Sequence, residues 1–323
     1  MLADFTIVIG AAAAILLLAE LVIRQALRVA HHFSLSGSFI GLTILSIGTS
    51  LLEITTHVIG SLHILSEPET MQVMSGLLIG TNVGSDIFQQ NFLLPIIGLL
   101  ACVQIARRNL LIEVGALLGA SLLLWVVCLG GSITRLESLL LGVAYLAYLV
   151  YLGNHGVRDA AQPVRQRLSQ GQLTASATLI TICFVGMAII ADYLLEAASH
   201  LVAQLPLSAS LFGVIVLGVC AALPELMTCL VSVYRGEKEM SAGILIGSNI
   251  TNPLLGVGLG GMISSYTVPP VVLWYDLPIK IATGGFLYYV FYQHQRIRRL
   301  ESASLLATYV LYILLRHQLF PAD

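Results

Sequence analysis

The chain has 323 residues, of which 57% are hydrophobic and only 10% charged, against roughly 25% charged in an average soluble domain. This composition excludes a water-soluble fold and predicts a protein embedded in the lipid bilayer. The formal net charge is −2, and the basic residues form no patch with interleaved aromatic residues, which excludes a nucleic-acid partner.

Five apolar segments in the first half are long enough to cross roughly 30 Å of hydrocarbon as helices. They lie near residues 4–24, 38–64, 72–102, 109–131 and 137–153. No basic segment precedes the first of them, so we expect an uncleaved helix rather than a signal peptide. The five cysteines lie in apolar segments without paired spacing, and we interpret them as packing residues.

A polar linker over residues 154–172 separates these segments from five more, near 173–195, 209–233, 241–263, 268–292 and 301–315. The predicted fold is an all-α polytopic membrane protein with ten transmembrane helices. Residues 1–153 form a first five-helix repeat and residues 173–323 a second. An odd number of spans per half makes the two repeats inverted, an arrangement that places a substrate site near the bilayer midplane.

The basic residues predict the orientation, because alternate loops share one side of the membrane. Twelve of the fifteen lie on the side of the 154–172 linker, and only Arg135 and Arg316 lie on the opposite side. We therefore expect a cytoplasmic linker and both termini outside. The short loops favour a prokaryotic plasma membrane, that is, the inner membrane.

The two halves share a motif that ends in a glutamate. The twelve-residue spacing from Gly41 to Glu53 recurs from Gly213 to Glu225, and a Gly/Ser/Asn-rich element follows one helix later in each half, at residues 80–89 and 243–252. A carboxylate at the centre of a membrane helix costs at least about 2.5–3.5 kcal/mol. Two such acids at matching positions predict a bound cation as their partner.

Neutral oxygens lie at helical spacing around these acids. On a continuous helix, Thr49 and Ser50 share the face of Glu53, and the two Gly/Ser/Asn-rich elements each offer a pair spaced by four residues. Such oxygens suit a hard cation, for example calcium. The candidate metal-site residues are Glu53, Glu225, Thr49, Ser50, Ser85, Gln89, Ser248 and Asn252. For any single Ser or Gly, close helix packing is the alternative explanation.

The motifs resemble the alpha repeats of the cation/calcium exchanger superfamily, which contains the sodium/calcium exchangers and their prokaryotic relatives. The pattern G-x-T-x-x-x-x-G-T-S-L-P-E, followed by G-x-x-x-G-S-N-I-x-(N/D), is matched in the first half by Gly41, Thr43, Gly48, Thr49, Ser50, Leu51, Glu53, Gly80, Gly84, Ser85 and Ile87. In the second half it is matched by Gly213, Leu223, Pro224, Glu225, Gly243, Gly247, Ser248, Asn249, Ile250 and Asn252.

The resemblance implies a transporter rather than an enzyme, with no cofactor. Its partners would be the lipid bilayer and the transported cations, Ca²⁺ together with Na⁺ or H⁺, and the first and sixth spans would move across the eight candidate residues during alternating access. The sequence does not indicate the oligomeric state. A non-transporting assembly or sensor protein that reuses the exchanger fold is the alternative.

The chain departs from the exchanger pattern at several positions. Leu52 replaces a proline, which predicts a less sharp helix break in the first half. Asp86 replaces an asparagine, and Gln89 a shorter Asn or Asp. Ala221 and Ala222 replace a Thr-Ser pair and remove two hydroxyls, which leaves open whether the coupling ion is Na⁺ or H⁺.

Three further polar residues lie inside predicted spans. His57 lies one turn beyond Glu53, where it either relays a proton or packs as a hydrogen-bonded histidine. Asp276 and Lys280 are four residues apart, a spacing that predicts an ion pair within one helix.

Overall fold

The computed structural model describes residues 2–33, 35–101, 105, 109–155, 167–202 and 209–320. Most of the predicted linker, with Arg158, Asp159 and Arg165, lies outside these residues, as do Cys102 and the last three positions of the chain.

Six helices and one short strand make up the first half. They are α1 (Leu2–Phe33), α2 (Gly37–Thr49), α3 (Leu51–Ser66), α4 (71–101), α5 (Leu111–Cys128), β1 (Ser132–Ile133) and α6 (Arg135–His155). The second half has the same order of helices, with α7 (Gln170–Val202), α8 (209–221), α9 (Leu223–Tyr234), α10 (Lys238–Ser264), β2 (Tyr266–Thr267), α11 (272–294) and α12 (Arg299–Leu319), but its strand lies one helix earlier than that of the first half. The strands pair antiparallel, with Ile133 opposite Tyr266.

A helix, or a pair of helices joined at a break, lies at each of the ten predicted segments. Within the described residues, five helices are long and apolar enough to cross a membrane, or six when the bent pair α2 and α3 counts as one span. The chain is therefore an all-helical, multi-pass membrane protein. The four described cysteines are free, as expected of packing residues: Cys128, Cys183, Cys220 and Cys229.

Short π-helical turns interrupt six of these helical regions, and their positions correspond between the halves. They lie at Gly41–Leu45, Gln89–Leu93 and Leu111–Gly115, and again at Gly213–Leu217, Asn252–Gly256 and Val272–Asp276. In each half, the first π-helical turn begins at the motif glycine, Gly41 or Gly213. The second begins at the last residue of the Gly/Ser/Asn-rich element, Gln89 or Asn252. Such turns are rare and concentrate at functional sites, so their recurrence extends the sequence similarity into backbone geometry.

Both motif helices break immediately before the glutamate-bearing segment. Ser50 separates α2 from α3 with φ −78° and ψ 6°, and Ala222 separates α8 from α9 with φ −78° and ψ 2°. The first break bends the helix by 41°, whereas residues 210–234 form one continuous span. The prediction that Leu52 would soften the first break is therefore wrong. Proline is tolerated in the first turn of a helix, so its absence at Leu52 does not straighten the first break; because Ser50 and Ala222 have nearly the same backbone angles, the difference in bend does not arise at the break residue itself.

Glycines allow each broken helix to cross a helix of the other half at close range. A Cβ on Gly41 would lie 2.9 Å from the Cα of Gly243, and a Cβ on Gly213 would lie 3.1 Å from the carbonyl carbon of Gly80. These two crossings join α2 to α10 and α8 to α4. Helices α4 and α10 form the buried centre of the molecule, and 89% of the apolar window of α10 is buried, against 22% in α6.

Candidate cation site

Glu53 and Glu225 lie in the first turns of α3 and α9, next to the two helix breaks. Both side chains are buried, and Ser50, which stands at the start of the helix that carries Glu53, contacts Glu225 through its hydroxyl. Each carboxylate also lies at the positive end of a helix dipole, which favours a negative charge there. The fold thus brings the two duplicated acids into one site at the centre of the molecule.

Serine hydroxyls hold one oxygen of each glutamate. Ser85 Oγ donates to Oε1 of Glu53 at 3.2 Å. Ser50 and Ser248 donate to Oε1 of Glu225 at 3.4 and 3.3 Å. Ser50 therefore acts across the boundary between the halves, because it precedes Glu53 in the chain but contacts the glutamate of the other half.

This contact corrects the prediction that Thr49 and Ser50 share a helix face with Glu53. The helical spacing rule requires a continuous helix, and the break at Ser50 directs the Ser50 hydroxyl to Glu225, whereas the Thr49 hydroxyl donates to the carbonyl oxygen of Ser46 at 3.4 Å. The supply of hydroxyls is consequently unequal. Ala222, which stands at the matching break, is buried and its side chain carries no oxygen.

The second carboxylate oxygen of each glutamate has no hydrogen-bond donor among the described residues. Oε2 of Glu53 and Oε2 of Glu225 are both buried, and the same holds for the amide oxygen of Asn252. Buried polar atoms normally have a partner, and a buried anionic oxygen without one is costly. The three oxygens are therefore suited to bind cations or, for the carboxylates, protons.

An amide chain links the two Gly/Ser/Asn-rich elements. Gln89 donates to Ser85 Oγ at 3.1 Å, and its own oxygen accepts from Asn249 at 3.3 Å. Asn249 had matched the exchanger pattern, but sequence spacing did not place it in the candidate site. It holds Gln89 in position from α10, so the Gln89 oxygen is already occupied in this structure.

The predicted ion pair between Asp276 and Lys280 is wrong. Lys280 Nζ forms an ion pair with Asp86 of α4, and both side chains are fully buried. Asp276 instead accepts from Arg316 Nε at 3.1 Å and from Tyr312 at 3.0 Å. Helical spacing allows Asp276 and Lys280 to meet, but tertiary packing gives each of them a stronger partner on a different helix.

His57 is a hydrogen-bonded packing residue. Its Nδ1 lies 3.1 Å from the hydroxyl of Tyr266, which also lies 2.7 Å from Ser61 Oγ. The backbone carbonyl of His57 is a third neighbour of this hydroxyl, at 3.4 Å. These contacts match the packing interpretation of His57 and give it no contact with Glu53.

Across the described residues, no group of three or more His, Cys, Asp and Glu side chains is arranged to hold a metal ion. A divalent cation bound between Glu53 and Glu225 would therefore depend on two carboxylates together with neutral hydroxyl, amide and backbone oxygens. Hard cations such as calcium accept this mixture of ligands.

The family model described as sodium/calcium exchanger protein matches residues 4–153 and 175–317. The chain belongs to the sodium/calcium exchanger family. Membership confirms the resemblance found in the sequence motifs and identifies a transporter rather than an enzyme.

Two curated relatives match most of the chain. Inner membrane protein YrbG of Escherichia coli (strain K12) is 26% identical over 77% of this chain and 76% of its own length. Putative antiporter CaxA of Alkalimonas amylolytica is 25% identical over 91% of this chain and 92% of its own length.

A solved structure has the same overall fold. The sodium-calcium exchanger NCX_Mj, soaked with 2.5 mM Na⁺ and 10 mM Sr²⁺, superposes with a TM-score of 0.78 at 21% identity. The match covers 97% of this chain and 98% of that chain. The exchanger-family fold of this protein is thereby shown.

Proposed function

We propose that this protein is a secondary cation antiporter that exchanges Ca²⁺, or a related divalent cation, for Na⁺ or H⁺. The exchange takes place by alternating access at a midplane site that contains Glu53 and Glu225. One observation carries this proposal: the two duplicated acids meet in the buried centre, and each presents a carboxylate oxygen without a protein donor. Their two negative charges match one divalent cation or two monovalent ones.

The remaining candidate residues would act in two ways. Ser50, Ser85 and Ser248 orient the glutamates, Thr49 would add a further hydroxyl oxygen, and Asn252 offers its free amide oxygen. Gln89 fixes Ser85 through its hydrogen bond. The names of two relatives, a putative antiporter and the sodium/calcium exchanger MaX1 of Methanosarcina acetivorans, support cation exchange.

The architecture that we propose has ten transmembrane spans in two inverted five-helix repeats, residues 1–153 and 173–323, joined by a cytoplasmic linker. The matched π-helical turns, the matched breaks and the two glycine crossings support a duplication. The family model also matches two separate stretches that correspond to the halves. We place the protein in a prokaryotic inner membrane with both termini outside.

Alternating access needs elements that can move past the fixed site. Helices α1 and α7, the first and sixth spans, pack extensively against each other, and α7 also borders α3 and α8. As a pair they can slide across the outer side of the two broken helices. Such a movement would open the site to one side of the membrane at a time.

The test is Ca²⁺ uptake into proteoliposomes, driven separately by an outward Na⁺ gradient and by an outward H⁺ gradient. Glu53→Gln and Glu225→Gln should each abolish uptake, because an amide supplies an oxygen without the charge. Glu113→Gln is the matched control, since Glu113 is also buried but accepts from Ser38 at the start of α2, fifteen positions before Glu53. Wild-type uptake by either site variant, with equal protein in the vesicles, would refute the proposed site.

A further inference from the structure

A further buried carboxylate lies on α4, next in the chain to a residue that contacts Glu53. Asp86 follows Ser85, whose hydroxyl donates to Glu53 at 3.2 Å. It stands where the exchanger pattern has an uncharged asparagine. Without compensation, this acid would raise the negative charge at the centre of the protein from two to three.

Lys280 of α11 supplies the compensation. Its ammonium group contacts Oδ2 of Asp86, and both side chains are fully buried. Asn252 donates to Oδ1 of the same carboxylate at 3.1 Å. The ammonium of Lys280 and the amide of a candidate ion-site residue therefore share one carboxylate.

The turn of α11 that carries Lys280 is fixed to α4 by a neighbouring side chain. Gln90 Nε2 donates to the carbonyl oxygen of Lys280 at 2.9 Å and to Thr283 Oγ1 at 2.6 Å. These bonds hold the backbone of α11 at Lys280 next to α4, the helix that carries Asp86. A buried ion pair held in this way contributes little net stability over an uncharged pair, so stability does not explain why two charges lie at this depth.

The two helices that contact Asp86 or carry it, α4 and α10, offer further amide oxygens, none of which accepts a hydrogen bond from the Lys280 ammonium. On α4, Asn82 lies one turn before Asp86 on the same helix face, and Gln90 lies in the π-helical turn that begins at Gln89. The side-chain oxygens of Asn82, Gln90 and Asn252 are buried and have no donor among the described residues. One carboxylate with several neutral oxygens is a ligand set suited to a hard cation.

On the basis of the cation antiport proposed above, we propose that Lys280 is a tethered cation that neutralises Asp86 in place of a mobile ion. With Asp86 neutralised in this way, the transported ions must supply two positive charges, which match the two negative charges of Glu53 and Glu225. Removal of the ammonium group should leave Asp86 to recruit a monovalent cation from solution.

The experiment measures the midpoint of thermal unfolding of the purified protein in saturating Ca²⁺, with Na⁺ or with N-methylglucamine at equal ionic strength. Lys280→Met should be stabilised by Na⁺ by at least about 3 °C more than the wild type, because Na⁺ binds the folded state at the vacated position. Lys280→Met with Asp86→Asn should lose this additional response. Equal Na⁺ responses of the wild type and Lys280→Met would overturn the inference.

Arg316→Met is the matched control, because it removes the cation of the other fully buried ion pair, with Asp276. It should lower the midpoint without a gain in the Na⁺ response. If Arg316→Met shows an equal increase in its Na⁺ response, that response is a general property of buried acids that have lost their cation, and the inference is overturned.

A second variant keeps the inference testable if Lys280→Met does not fold. Asp86→Asn leaves the ammonium unpaired beside the site, so the Ca²⁺ affinity, read from Ca²⁺-dependent stabilisation, should fall at least about tenfold. Adding Lys280→Met should recover most of that affinity. Unchanged Ca²⁺ affinity in Asp86→Asn would contradict the tethered cation, whereas a wild type that Ca²⁺ does not stabilise would count against the proposed function instead.

Discussion

Ser50 and Ala222 stand at matching helix breaks with nearly identical backbone angles, yet only Ser50 carries a hydroxyl. Among the described residues, Glu225 accepts from the hydroxyls of two serines, whereas Glu53 accepts from the hydroxyl of one, Ser85. Sodium sites need several neutral oxygens, but proton transfer needs only the acid. This asymmetry favours fewer coupled sodium ions than in the sodium/calcium exchangers, with proton coupling as the alternative.

Restoring the hydroxyls tests this asymmetry. Ala222→Ser, alone or with Ala221→Thr, should place a donor near Glu53 and lower the Na⁺ concentration for half-maximal Ca²⁺ uptake several-fold, since the added oxygen can bind Na⁺. The measurement is Na⁺-driven Ca²⁺ uptake in proteoliposomes. Ala120→Ser, a buried position on α5, is the control. Two results together would rule out the asymmetry as a determinant of the coupling ion. The restored hydroxyls would change nothing, and the wild type would show full Na⁺-driven uptake that does not depend on pH.

At the residue scale, sequence identified the acids but not their partners. Glu53 and Glu225 were predictable because a buried, duplicated carboxylate has few structural explanations. The partner of Lys280 was not, since Asp86 is 194 positions away and a nearer acid, Asp276, has the correct helical spacing. Helical spacing reports which residues can meet within one helix and carries no information about other helices.

The helices depend on glycine at the crossings between halves. A Cβ on Gly41 would lie 2.6 Å from the carbonyl oxygen of Met240 and 2.9 Å from the Cα of Gly243. Backbone atoms cannot rotate away as side chains do. The two helices would have to separate, and the geometry of the break at Ser50 depends on their contact.

Gly41→Ala should therefore destabilise the protein by about 1–3 kcal/mol, the usual cost of overpacking. Gly119→Ala is the matched control on α5, because a Cβ there meets no atom within 4 Å. It should leave stability nearly unchanged. Denaturant unfolding in detergent measures both variants, and an equal effect of the two would contradict the close crossing.

At the element scale, hydropathy placed a helical region at each of the ten segments, because a bilayer of fixed thickness demands apolar runs of a certain length. The helices of the first and sixth spans, α1 and α7, are longer than predicted and extend to Phe33 and Val202 rather than to residues 24 and 195. The local shape of the helices was less predictable. The expectation of a softer break at Leu52 failed, because the helix without the proline bends by 41° whereas the span that contains Pro224 stays continuous, and proline in the first turn of a helix does not by itself impose a bend.

For the whole molecule, the distribution of basic residues predicts the orientation. Twelve basic residues on one side against two on the other should keep the linker in the cytoplasm. A reporter enzyme fused after Asp323 should therefore be active outside the membrane, and one inserted near Arg165 should be active in the cytoplasm. The reverse pattern, with both fusions expressed at equal levels, would contradict the predicted orientation.

Arg316 shows the limit of this count. The sequence places it among the loop residues of the outer side, but the structure places it in α12, fully buried, with Asp276 and Ser210 as partners. Without it, the outer side carries only Arg135. The bias towards the linker side becomes stronger, so the predicted orientation does not depend on the position of Arg316.

The sequence by itself determined the membrane environment, the positions of the helices, the duplicated acids and the family. These properties follow from composition, apolar length and short motifs, which are local along the chain. Only the tertiary structure decided that Ser50 serves the glutamate of the other half, that Asn249 holds Gln89 and that Lys280 neutralises Asp86. Each of these contacts joins residues more than 150 positions apart, and such pairs are set by the way helices cross.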